Sequence, residues 1–235
     1  MRYQLLNICV LFPIIVFSQS LKRSIVYSTN LNQPVEVFTL SYSAETPSLI
    51  YYFTDGKKMI DYKTAHHIDS LVKLGLIPSA TYVFVSSIHP ETGKDLREQH
   101  FFCNDSYLAF FQQELIPHIE QTISKQPQRH LIGVSFGALN AAFFAAKSSY
   151  FRGFALLSPI TYPCPDLNQQ LTFSKQRNYK LYLSTGKLDA ENYVEALLPM
   201  FKFNTKTIKV VQTEGGHDFE NWNRQLETLI NYLAN

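Results

Sequence analysis

Gly133-Val134-Ser135-Phe136-Gly137 stands between the apolar run Arg129-His130-Leu131-Ile132 and Ala138-Leu139-Asn140-Ala141-Ala142-Phe143-Phe144-Ala145-Ala146-Lys147. The run before it reads as a short strand, and the stretch after it is rich in good helix formers. A strand, a sharp turn centred on a serine and then a helix is the setting that a nucleophile elbow requires. The flanking glycines permit the turn and the close approach of strand to helix. Such a turn lifts the Ser135 hydroxyl clear of the sheet at a helix N-terminus, with the Phe136 amide free to bind a developing oxyanion.

An elbow serine calls for an acid and then a base further along the chain. Of the seven histidines, His217 has the expected place, in Glu214-Gly215-Gly216-His217-Asp218-Phe219-Glu220-Asn221-Trp222. It follows the strand-like Thr207-Ile208-Lys209-Val210-Val211-Gln212 and precedes a terminal helix. For the acid, Lys180-Leu181-Tyr182-Leu183-Ser184 reads as a strand whose exit loop carries Asp189, with Glu191 as the alternative. Asp189 would hold the imidazole tautomer, and it also suits capping of a helix over 190–203. A second oxyanion donor is expected in the loop leaving the strand Leu49-Ile50-Tyr51-Tyr52-Phe53, at the backbone of Gly56 or Lys57. Asp55-Gly56 is equally compatible with a plain tight turn.

These pieces together resemble the putative esterase family of α/β-hydrolases, which includes esterase D, enterochelin esterases, feruloyl and acetyl-xylan esterases and mycolyltransferases. The resemblance rests on Tyr51-Tyr52-Phe53-Thr54-Asp55-Gly56, Arg97-Glu98, the helix segment Phe111 to Glu120, the elbow, Phe154-Ala155-Leu156-Leu157-Ser158-Pro159, and Gly-Gly-His followed by Trp222. It runs from about residue 35 to the C-terminus and implies a Ser–His–acid hydrolase. Two positions depart from the family pattern: Asp95 stands where another Arg is usual, and Thr54 where an apolar residue is commoner. Both bear on the substrate pocket, for which Arg97, Phe101, Phe102 and Tyr162 are the candidate lining residues, the three aromatics being equally compatible with ordinary packing.

The pattern of elements agrees. Strands are expected near 24–28, 35–42, 49–53, 81–86, 129–133, 153–157, 180–184 and 207–212, and helices near 64–75, 105–124, 137–148, 190–203 and 219–233. Strand and helix alternate from residue 49 onward, which predicts a mostly parallel sheet covered on both faces, with an antiparallel N-terminal edge. Residues 160–179 lack a clear period and are expected to form a cap over the pocket.

With 46% apolar and 17% charged residues, the chain affords a large core, and a net charge of +2 without a basic stripe argues against a nucleic-acid partner. Met1-Arg2-Tyr3-Gln4 and the apolar run Leu5 to Phe17 read as a signal peptide over residues 1–18, leaving a single domain over 19–235. The run is too short to span a bilayer comfortably, so an exported protein, periplasmic or secreted, with no stable membrane insertion is expected. Export permits Cys103 and Cys164 to pair, although two buried thiols are equally compatible. No Cys–His cluster has metal-site spacing, and the chemistry calls for no cofactor. The expected reaction is hydrolysis of a small-molecule or glycan ester, siderophore lactones and carbohydrate-linked esters included. An acyltransferase using the same acyl-enzyme and a silent binding scaffold are the alternatives.

Overall fold

The strands are where the alternation of side chains requires them. In β3 (Leu49–Phe53), Ile50 and Tyr52 face one side of the sheet and Tyr51 and Phe53 the other, and both sides are buried. The structure, a computed structural model, describes residues 20–42, 49–121, 123, 126–175, 178–190, 192–202 and 205–235. The signal peptide expected over residues 1–18 lies outside them.

One eight-stranded sheet organises the chain, in the order β1-β2-β4-β3-β5-β6-β7-β8. Its strands are β1 (Lys22–Ser28), β2 (Gln33–Ser41), β3, β4 (Thr81–Val85), β5 (Gln128–Val134), β6 (Gly153–Leu157), β7 (Tyr179–Gly186) and β8 (Thr205–Thr213). Strands β3 to β8 are parallel, and β2 is antiparallel to both β1 and β4. This is the expected α/β-hydrolase sheet with its antiparallel edge.

Helices cover both faces. One core contains side chains of α3 (Arg97–Phe101), α4 (Asp105–Ala109), α5 (Ile116–Glu120), α6 (Phe136–Lys147), α7 (Leu167–Thr172) and α8 (Val194–Phe201). The other contains those of α1 (Gly56–Asp61), α2 (Thr64–Lys73), α9 (Phe219–Asn223) and α10 (Leu226–Ala234). Helix α6 is buried from Gly137 through Ala146, as a central helix without a polar face must be.

The helices differ from expectation in ways with local causes. The helix expected over 105–124 is α4, a wide π turn over Phe110–Leu115, and α5. Pro117 lies in the first turn of α5 and has no amide hydrogen to donate backward, so the ladder loosens just before it. Asn104 starts α4 by accepting from the amides of Ser106 and Tyr107. Helices α1, α3 and α7 have six residues or fewer, too short for an apolar period to develop. Through α7, the expected cap packs Leu167 and Leu171 into the core. Helix α8 begins at Val194 with Tyr193 at its N-cap position, so Asp189 does not cap it.

Cys103 and Cys164 form a disulfide with Cα atoms 6.0 Å apart, which resolves their pairing. Among the described residues, no helix is long and apolar enough to cross a membrane.

Candidate active site

Ser135 occupies the turn between β5 and α6 with φ 57° and ψ −121°, a conformation that L-residues rarely adopt. The neighbouring glycines make that turn possible. A Cβ on Gly133 would collide with the backbone carbonyl of Gly137, and one on Gly137 with Thr54 Oγ1. The same contact brings the end of β3 against the elbow. As the first residue of α6, Phe136 presents an amide without an intrahelical acceptor.

His217 arrives from the loop after β8, with Nε2 2.9 Å from Ser135 Oγ. Its loop is shaped by close backbone approach. A Cβ on Gly186 would strike the carbonyl of Gly215, and the amide of Leu188 donates to that carbonyl at 3.1 Å. Asn221 Nδ2 donates to the Gly216 carbonyl at 2.8 Å, and Asp218 caps α9 by accepting from the Asn221 amide. The Trp222 ring lies edge-on to the imidazole at 5.1 Å, with its indole N–H donating to Ser158 Oγ at 3.0 Å. Burial pushes the His217 pKa below its ordinary value. Asp189 pulls it up, Arg97 pushes it further down, and Asp218 raises it.

Asp189 leaves the end of β7 with its side chain 1% exposed. Its Oδ2 accepts from the Gly186 amide at 2.9 Å and from Thr185 Oγ1 at 3.1 Å. Among the described residues its Oδ1 has no hydrogen-bond partner, and it lies 4.0 Å from His217 Nδ1. That separation is about 1 Å too long for a hydrogen bond. A buried acceptor left open beside the imidazole is a place for a charge-assisted bond to form. Glu191, the alternative acid, lies outside the described residues.

Gly56 and Lys57 open α1 rather than forming a loop. Asp55 before them has φ 60°, and a Cβ on Gly56 would collide with the backbone at Phe84 and Val85. Residue 55 is therefore more than a turn former. Its carboxylate is fully buried and faces Arg97, whose Nε lies 2.8 Å from Oδ1 without hydrogen-bond geometry and whose Nη2 donates to Oδ2 at 3.1 Å. Ser87 Oγ donates to Oδ1 at 3.2 Å. Burial raises the Asp55 pKa, opposed by Arg97, Lys58 and Ser87.

Arg97 is thus an anchored residue whose guanidinium carbon lies 5.3 Å from the centre of the Phe136 ring. It lines a cavity of about 360 Å³ together with Lys94, Asp95, Leu96, Glu98, Gln99 and Phe136. Asp95, at the position where the family usually has Arg, pairs with Lys58 at 2.8 Å and accepts from the Arg97 amide. Phe102 and Tyr162 both meet Phe136 edge-on, at 5.0 and 6.2 Å. Phe101 is fully buried among Arg97, His100 and Tyr107, and of the four candidate lining residues Arg97 borders the cavity while Phe101, Phe102 and Tyr162 do not. Sequence reasoning missed Asp55, Ser87, Ser158 and the packing role of Trp222. Asp55, Ser158 and Trp222 each lie in a segment shared with the family, and Ser87 does not. Among the described residues, no cluster of three His, Cys, Asp or Glu side chains is placed to hold a metal ion.

Solved structures share this architecture. The enterobactin esterase FES from Shigella flexneri, in the presence of enterobactin, superposes with TM-score 0.79 at 21% identity, over 92% of this chain and 59% of that one. This chain therefore spans about three-fifths of that protein's length. A ferulic acid esterase gives TM-score 0.72 at 14% identity, over 92% and 98% of the two chains. An IroE-like serine hydrolase from Shewanella oneidensis gives 0.71 at 15%, over 90% and 80%. No curated protein matches the sequence. The model of one family, described as "Putative esterase", matches residues 28–232. The chain belongs to that family.

Proposed function

We propose that this protein is an exported serine hydrolase of carboxylic esters, working through Ser135, His217 and Asp189. The observation that carries the reading is the 2.9 Å approach of His217 Nε2 to Ser135 Oγ on a strained elbow. His217, kept neutral by its lowered pKa, takes the Ser135 proton as Oγ attacks the ester carbonyl. The developing oxyanion is received by the Phe136 amide and by an amide at the start of α1, Gly56 or Lys57. The imidazolium then gives its proton to the leaving alcohol, and water releases the acid by the same route in reverse. Asp189 Oδ1, unpaired in the resting site, bonds to Nδ1–H once the imidazole is charged. Closing the 4.0 Å gap then takes a shift of about 1 Å, of the kind that catalytic hydrogen bonds make on binding.

The substrate class is a small-molecule or glycan-linked ester. Similarity to an enterobactin esterase and a ferulic acid esterase supports it, as does the cavity beside Phe136. Export is supported by the leader-like first residues and by the disulfide, which suits an oxidising compartment. The test is labelling with a fluorophosphonate followed by peptide mapping. Modification confined to Ser135 and lost in His217→Ala is the expected result. No labelling of folded protein, or full ester turnover by Ser135→Ala, refutes the proposal.

A further inference from the structure

The Cys103–Cys164 disulfide joins two strips of chain that are 61 residues apart, one after α3 and one after β6. Each half-cystine is next to or two residues from a ring beside the elbow: Phe102 precedes Cys103, and Tyr162 comes two before Cys164. Both rings stand edge-on to Phe136, at interplanar angles of 79° and 75°, and Phe136 directly follows Ser135. Phe136 therefore touches both other rings, and the covalent bridge joins the two strips of chain that carry them. Tyr162 is 67% exposed. An edge contact is a weak hold on so exposed a ring, and the bridge two residues away is a covalent restraint on the same strip of chain. Ser135's two partners come from elsewhere, on the loops after β7 and β8, which the disulfide does not tie.

We propose that the disulfide is a positioning element of the ester site. It keeps Phe102 and Tyr162 against Phe136 as a wall for a ring-bearing half of the ester, so opening it weakens ring binding and spares the chemistry at Ser135. The inference rests on the ester-hydrolase reading above.

The experiment compares the oxidised protein with the Cys103→Ser/Cys164→Ser double variant and with wild type reduced by tris(2-carboxyethyl)phosphine. It is run at a temperature where circular dichroism shows all three folded. Three esters are followed in a pH-stat: vinyl acetate, which has no ring; phenyl acetate, with a ring on the alcohol side; and methyl 3-phenylpropanoate, with a ring on the acyl side. Opening the bridge is expected to raise KM for at least one ring ester about tenfold while kcat, and kcat/KM for vinyl acetate, stay within about twofold. Reoxidation of the reduced wild type restores the lower KM. Tyr162→Ala is expected to raise the same KM in bridged protein and to add little once the bridge is gone, as coupled residues do. Equal loss on all three esters would reduce the disulfide to a stabiliser and overturn the proposal, as would unchanged KM values. If oxidised wild type turns over none of the esters and Ser135 takes no fluorophosphonate, the hydrolase reading itself has failed.

Discussion

Arg97→Met removes the cation that faces a completely buried carboxylate, and its cost follows from that geometry. Asp55 has no exposure, while Arg97 keeps 18% of its side chain exposed, so the two partners of the pair are not equivalent. Taking away one partner of a buried pair costs about 3–5 kcal/mol, because the other charge stays desolvated. The low end, about 3 kcal/mol, applies here, since Lys58 still acts on Asp55 and Ser87 still donates to it. The pH dependence has a definite sign. Burial holds the folded Asp55 pKa above its ordinary 3.8, so near and above that value the native state binds more protons than the unfolded chain. Stability is then lost as pH rises through the folded pKa and is kept below the unfolded one. Without Arg97 the folded pKa climbs further, and the variant's deficit must shrink on acidification toward pH about 4. Urea unfolding followed by circular dichroism, at neutral pH and in steps below it, measures this. Asp55→Asn should cost less, since the freed guanidinium borders the cavity and can turn toward solvent. A deficit below about 1 kcal/mol, or one that is the same at every pH, refutes the argument.

Gly133→Ala should disrupt the elbow by more than about 2 kcal/mol, because its Cβ meets backbone at Gly137 and not a movable side chain; thermal unfolding and loss of Ser135 labelling would show it. The acid limb of kcat/KM should have its midpoint below the ordinary histidine value of 6.5, since burial lowers the His217 pKa. In Arg97→Met that midpoint should rise, because a like charge is removed, and steady-state pH profiles check both. Opening the disulfide should lower unfolding stability by up to about 4 kcal/mol from loop-closure entropy over its 61-residue span, measured by urea titration of the reduced and oxidised protein.

The strands were legible because burial on both faces writes itself into consecutive residues. Runs such as Thr81–Val85 and Gly153–Leu157 are buried at every position. The elbow was legible for a related reason: strand, turn and helix are contiguous, so one short sequence contains the whole local geometry. The short helices were not, since α1 and α7 each have six residues and owe their form to what they pack on. The same holds for Asp55, whose letters suit a turn and whose burial depends on an arginine 42 positions away.

The approach of Asp189 to His217 is the least local feature of the site, and it explains why the candidate acid was harder to assign than the candidate base. The two loops meet because Gly186 and Gly215 pack backbone to backbone, and nothing in either loop names the other. That contact places Asp189 with one oxygen bound by Thr185 and Gly186 and the other open toward Nδ1. A carboxylate satisfied on one side only keeps a fixed orientation while retaining a lone pair for the imidazolium. Asp189→Asn tests that division of labour. The amide oxygen can keep the bonds from Thr185 and Gly186, which turns the NH₂ toward His217, where it donates instead of accepting and favours the wrong tautomer. Folding stability should change little, while kcat should fall by about four orders of magnitude, as in other triads where the acid is made an amide. A fall in stability with kcat preserved would instead make Asp189 a loop-holding residue and return the search for the acid to the neighbouring chain.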